Sequence, residues 1–122
     1  MTEHNPSTEA QVAHAKETFK AARKNLKTAV RKATRQKKIY LKSCDALGVI
    51  RSSAMSDLVR EGKEPHQITA YRLIDEHSEV VAGWANIRTN NLHYCDALEE
   101  QKEKWKDFFK AKKTLKKVTC LL

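Results

Sequence analysis

Turn-forming residues are nearly missing from this chain, which has three glycines and two prolines in 122 residues. Glycine and proline punctuate local structure most strongly, so few turns are available and the elements between them must be long. A sandwich or barrel of short strands, which needs a turn every ~8–12 residues, is excluded. Cysteine is also scarce. Cys44, Cys95 and Cys120 are odd in number, widely spaced and without a CxxC pair, which suits a reducing compartment better than a disulfide scaffold. There is no run of about 18 apolar residues, hence no transmembrane helix. The opening MTEHNPSTEA is polar and unlike a secretory signal. The expected location is intracellular, cytoplasmic or nuclear, with a membrane disfavoured. Basic Lys116-Lys117 does precede an apolar tip, but Cys120 is third from the end and makes no prenylation box.

Acid is missing where it matters most. Between Thr18 and Cys44 there is no Asp or Glu, while residues 20–42 carry ten basic side chains. The whole chain has a formal net charge of +9 and a pI near 9.6. Such a balance points to acidic partners: nucleic acid, an anionic surface or an acidic protein.

The residues present in quantity, Lys, Ala, Leu and Glu, are helix formers. The length predicts one domain, residues 1–122. Residues 1–7 are expected to be a disordered tip. The T-x-x-Q pattern of Thr8 and Gln11, just after Pro6, predicts a helix start near Thr8. From there heptads place Val12, Phe19, Leu26, Ala33, Tyr40 and Leu47 at one core position and Ala15, Ala22, Ala29, Gln36 and Ser43 at the other. Gly48 would end this helix, predicted over 8–47. A short bracketing helix is predicted over 53–61, with Ala54, Met55, Leu58 and Val59 as its apolar face and Gly62 closing it.

Pro65 opens a second long helix, predicted over 65–118. One core position holds Leu73, Val80, Ile87, Tyr94, Gln101, Phe108, Leu115 and Leu122. The other is read as Ala70, His77, Trp84, Asn91, Leu98, Trp105 and Lys112. The weak point is Thr89-Asn90-Asn91, but the repeat keeps its phase there, which favours continuity. The expected fold is therefore all-α: a long antiparallel, coiled-coil-like helical hairpin with a short bracketing helix. Its unequal arms would leave seam exposed, so a dimeric bundle is expected.

Two basic rows stand out. Lys20, Lys24, Lys27, Arg31, Arg35, Lys38 and Lys42 follow one another in steps of 3 or 4 and share one face of the first helix. Lys102, Lys106, Lys110, Lys113 and Lys117 form a second row. Both lie opposite their seams and should face water. Like charges at this spacing destabilise a helix by roughly 0.2–0.5 kcal/mol per pair, so something else must hold the helix or bind the row.

These twelve side chains are the candidate nucleic-acid-binding residues. Tracking phosphates would give sequence-independent binding to duplex RNA or DNA. The competing reading is a coiled-coil adaptor that docks an acidic protein. Trp84, Tyr94 and Trp105 could stack on bases, but their assigned seam positions predict core packing instead. His93 and Cys95 point apart on a helix, so they and His77 do not compose a metal site. No cofactor is implied. Without a glycine-rich phosphate loop or a strained nucleophile turn, an enzyme is not expected.

Overall fold

The computed structural model describes residues 6–70 and 73–120. Among the described residues there are four helical segments: α1 (Pro6–Arg60), α2 (Pro65–Ala70), α3 (Leu73–Glu76) and α4 (Ser78–Thr119). Among the described residues there is no strand, and the chain is all-α as its composition requires. The disordered tip expected for 1–7 falls mostly outside the described residues, as does the seam residue Leu122. The side chain of Ala70 is outside them too.

α1 is a single helix of 55 residues, and this corrects three boundaries. Its described part begins at Pro6, a residue whose fixed φ suits a first turn, so Thr8 and Gln11 lie inside it. Gly48 does not stop it, and residues 53–61 are its last turns rather than a separate bracketing helix. The reason is the seam, which passes Gly48 in phase: Leu47 is followed one heptad later by buried Ala54, and Leu58 is buried beyond it. A helical glycine costs only about 1 kcal/mol, comparable to or less than the burial of one such leucine, about 1.5–3 kcal/mol. The Ser52 hydroxyl also donates to the Gly48 carbonyl at 3.1 Å. The true stop is Gly62, at φ 92°. The amides of Gly62 and Lys63 donate back to the carbonyls of Val59 and Leu58, at 3.0 and 3.1 Å. That is a Schellman closure, and it requires the left-handed conformation at residue 62.

The second long helix is also shorter than its pattern suggested. Pro65 begins α2, but the helix is interrupted at His77 before α4, and α4 runs unbroken through Thr89-Asn90-Asn91 to Thr119. Ile68 and Ile74 lie off the heptad that leads into Val80. With Gly48, Arg51, Ser52 and Met55 of α1 they line a hollow of ≈ 310 Å³. A straight helix from Pro65 could not bury Ile68 together with Val80, both 0% exposed, so the chain bends between them. α1 is consequently the longer arm, the reverse of the expected order.

The chain divides into two compact units. One comprises Met1–Thr34 and Asp96–Leu122, the other Arg35–Cys95. In the first unit α1 and α4 are antiparallel: Phe19 meets Phe108 at 5.3 Å between ring centroids, and Lys32 meets Glu100 at 2.8 Å. Val12, Ala15, Ala22, Leu26, Ala29 and Ala33 of α1 and Ala97 and Ala111 of α4 are its buried side chains. In the second unit α1 and α4 pair through Tyr40 on Tyr94, centroids 6.2 Å apart, and Leu47 against Gly83. Leu47, Ala54, Val80 and Ile87 form its core. Ser43, a buried polar residue on the seam, donates to the Tyr40 carbonyl at 2.6 Å and leaves no orphan hydroxyl.

Candidate nucleic-acid interface

Burial on α1 follows the expected heptads at every seam position: Phe19, Gln36 and Tyr40 are half-buried and the other eight are buried. Burial on α4 does not. Val80, Ile87, Tyr94, Gln101, Phe108 and Leu115 face α1, but the alternate positions are Gly83, Asn90, Ala97, Lys104, Ala111 and Val118. Trp84, Asn91, Leu98, Trp105 and Lys112 are exposed. Trp84 and Trp105, expected in the core, keep 40% and 39% of their surface in water.

The physical reason is close approach. On α1 a large residue is followed three positions later by a small one: Val12 by Ala15, Phe19 by Ala22, Leu26 by Ala29. α4 repeats this with Val80 and Gly83, Tyr94 and Ala97, Phe108 and Ala111. A tryptophan in the small position would hold the helices apart and leave voids. Size alternation was the available signal. Hydrophobicity alone favoured the tryptophans.

The corrected phase sharpens the placement of charge. All twelve candidate residues are exposed. Lys20, Lys24, Lys27 and Arg31 lie in the first unit, and Arg35, Lys38 and Lys42 lie on α1 in the second. Lys102, Lys106, Lys110, Lys113 and Lys117 lie on α4 in the first unit. Among the described residues none of the twelve takes part in an ion pair. Seam packing holds the helices that this crowding of charge opposes.

In the first unit the two rows lie largely on opposite sides of the helix pair, each away from the seam that joins its helix to the other, with Lys110 alone of the second row reaching the rim of the groove between the helices. A single straight polyanion cannot lie on both. The side chains of Lys20, Arg23, Lys24 and Lys27 surround a surface hollow of ≈ 300 Å³. Four cations around a shallow recess can meet phosphate oxygens from several directions. Between the helices of the same unit, His14, Thr18 and Asn25 of α1 and Asp107, Lys110 and Thr114 of α4 rim a groove of ≈ 500 Å³ floored by alanines.

The acidic side chains have local roles. Glu100 accepts from Lys32 Nζ at 2.8 Å, and that hydrogen bond together with the Lys32 charge holds its carboxyl below the ordinary glutamate range. Arg51 lies 3.5 Å from Asp75. Asp57 receives Arg60 and stands 4.0 Å from His77 Nε2. None of these interactions among the described residues uses a residue of either basic row.

A hydrogen bond with the Cys44 thiol, reinforced by its charge and by burial, raises the Tyr40 phenol above its usual range. Cys95 Sγ faces Asn91 Oδ1 at 3.9 Å. Among the described residues no group of three or more His, Cys, Asp or Glu is placed to hold a metal ion. No described helix is long and apolar enough to cross a membrane.

The chain matches no protein-family model, no curated protein and no solved structure.

Proposed function

We propose that this protein binds nucleic acid through the phosphate backbone, without sequence preference and without catalysis, along the basic faces of α1 and α4. One observation carries the reading: twelve lysines and arginines in two helical rows are all exposed, and none is paired with acid among the described residues. A solvated helix face that serves only solubility mixes both signs of charge. Rows of one sign cost helix stability and gain it back when a polyanion releases its counterions to them. The opposed rows of the first unit suit two strands or two duplexes better than one.

Gel shifts with duplex RNA, duplex DNA and single strands, each at two salt concentrations, test this reading. Binding to every sequence of a given form with equal affinity, falling steeply with salt, is the expected result. Failure to bind any of them at about 0.15 M salt, where exposed charges are screened beyond ~8 Å, would transfer the basic rows to the adaptor reading and an acidic protein partner.

The same reading includes self-association. α1 and α4 fill each other's seams within each unit, so a homodimer would use other faces. Sedimentation velocity at tens of micromolar separates the monomer from the dimer.

A further inference from the structure

Two aromatic rings in the first unit are exposed, and one of them, Trp105, stands where the heptad pattern placed it under cover. Trp105 is 39% and Phe109 51% exposed. The two rings stack on one another, with centroids 5.2 Å apart and planes inclined by 24°. Phe108 meets the Trp105 ring edge-on at 5.8 Å and 86°, and itself packs on Phe19 of α1 at 5.3 Å. The outer pair is thus braced by an inner pair on the seam. Bracing matters because a ring already fixed loses little side-chain entropy when a ligand stacks on it.

The surroundings of this pair are cationic. Helical spacing puts Lys102 beside Trp105 and puts Lys106 and Lys113 beside Phe109. All three lysines belong to the exposed row of α4. A flat apolar face ringed by lysines matches a ligand with aromatic planes strung on an anionic backbone. A second copy of this chain matches it poorly, because its own lysines would meet these and like charges across an interface oppose docking. Duplex bases are stacked on each other and cannot present a face to the side. Unpaired bases can.

We propose that Trp105 and Phe109 form a stacking platform for unpaired bases, with Lys102, Lys106 and Lys113 holding the adjoining phosphates, so that single-stranded nucleic acid is the ligand of this face. The proposal rests on the backbone-binding reading above and gives it a preferred strand state.

The test uses the full chain with Trp84→Phe, which leaves Trp105 as its one tryptophan. The protein is titrated with an oligothymidylate of about 15 nucleotides, within the range one such site covers, and with a duplex of equal length at the same salt. The single strand should quench Trp105 emission, and the duplex should not. Trp105→Ala should weaken single-strand binding about 5- to 150-fold, the range for losing one base stack, and change duplex binding less than about twofold. Trp105→Phe should retain most of the affinity. Phe109→Ala, at a more exposed position, should repeat the selective loss with helicity intact by circular dichroism.

Duplex binding with no quench by the single strand and no selective loss in the variants would overturn the platform and leave the backbone reading standing. Equal weakening for both ligands in Trp105→Ala and Phe109→Ala would also overturn it. Trp105 emission that shifts with protein concentration alone would place a second copy on the pair and overturn it likewise. Absence of binding to either ligand would remove both readings together.

Discussion

Leu47 lies against the bare backbone of Gly83: a Cβ on residue 83 would stand 2.8 Å from Leu47 Cδ1 and 3.5 Å from Ile50 Cδ1. Leu47 is buried in the core of its unit. The methyl group therefore has no space unless a packed leucine moves. Gly48, its neighbour in sequence, is helical too, and a Cβ there meets nothing within 4 Å.

The two glycines should therefore respond oppositely to alanine. Gly48→Ala should stabilise the protein by about 1 kcal/mol, the helix-propensity difference. Gly83→Ala gains the same amount from propensity but overpacks the seam at about 1–3 kcal/mol, so it should be neutral to destabilising by up to about 2 kcal/mol. Urea denaturation followed by circular dichroism measures both. Equal stabilisation by the two substitutions would show that the helices do not approach closely at Gly83.

The phase of the α4 seam gives a second contrast. Ala97 is 1% exposed, whereas Leu98 next to it is 42% exposed. Ala97→Leu should destabilise by about 1–3 kcal/mol through overpacking. Leu98→Ala should fall well below the ~2–5 kcal/mol of a core leucine truncation. If Leu98→Ala proved the costlier change, the seam would run through the tryptophans after all. Leu26→Lys or Ile87→Lys, which buries an unpaired charge, should cost several kcal/mol.

The Lys32–Glu100 pair makes a pH-dependent contribution whose sign follows from its geometry. The carboxyl titrates lower in the folded chain than in the unfolded one, because Lys32 donates to it. Its contribution is therefore present above the unfolded-state pKa of glutamate and is lost as pH falls through the depressed folded value. Both side chains are exposed, so the contribution is small and salt-sensitive. Carbon-detected NMR titration should find the Glu100 midpoint below that of a free glutamate, and Lys32→Ala should return it to the ordinary range. A midpoint that ignores Lys32→Ala would show that the pair does not persist in solution.

Much of this architecture was legible in the residues, for identifiable reasons. The α1 seam could be read because large and small residues alternate there without a competing apolar stripe. The basic rows could be read because lysine and arginine recur at steps of 3 and 4, in α1 with no interleaved acid, and such spacing admits one face only. α4 carries two apolar stripes, and Trp84, Leu98 and Trp105 outweighed Gly83, Ala97 and Ala111 when hydrophobicity alone was compared. That single misplacement also hid the exposed Trp105–Phe109 pair. Gly48 looked like a stop because glycine is a strong local signal, yet Ala54 and Leu58 continue the seam beyond it, and packing outweighed propensity. The bend before α4 depends on burying Ile68, with Ile74 partly covered, near Gly48–Met55, a meeting of distant segments that no local pattern encodes.

The salt dependence of duplex binding tests the central claim most directly. Arg31, Arg35 and Lys38 are exposed on α1 away from its seam, so Gln at all three should leave helicity unchanged or slightly higher as like-charge repulsion is relieved. The slope of log affinity against log salt should fall by about 0.9 for each duplex-DNA phosphate that is no longer neutralised, with affinity reduced alike for unrelated sequences. An unchanged affinity and slope in the triple variant, with the native protein binding well, would contradict the assignment of nucleic-acid binding to the basic face of α1.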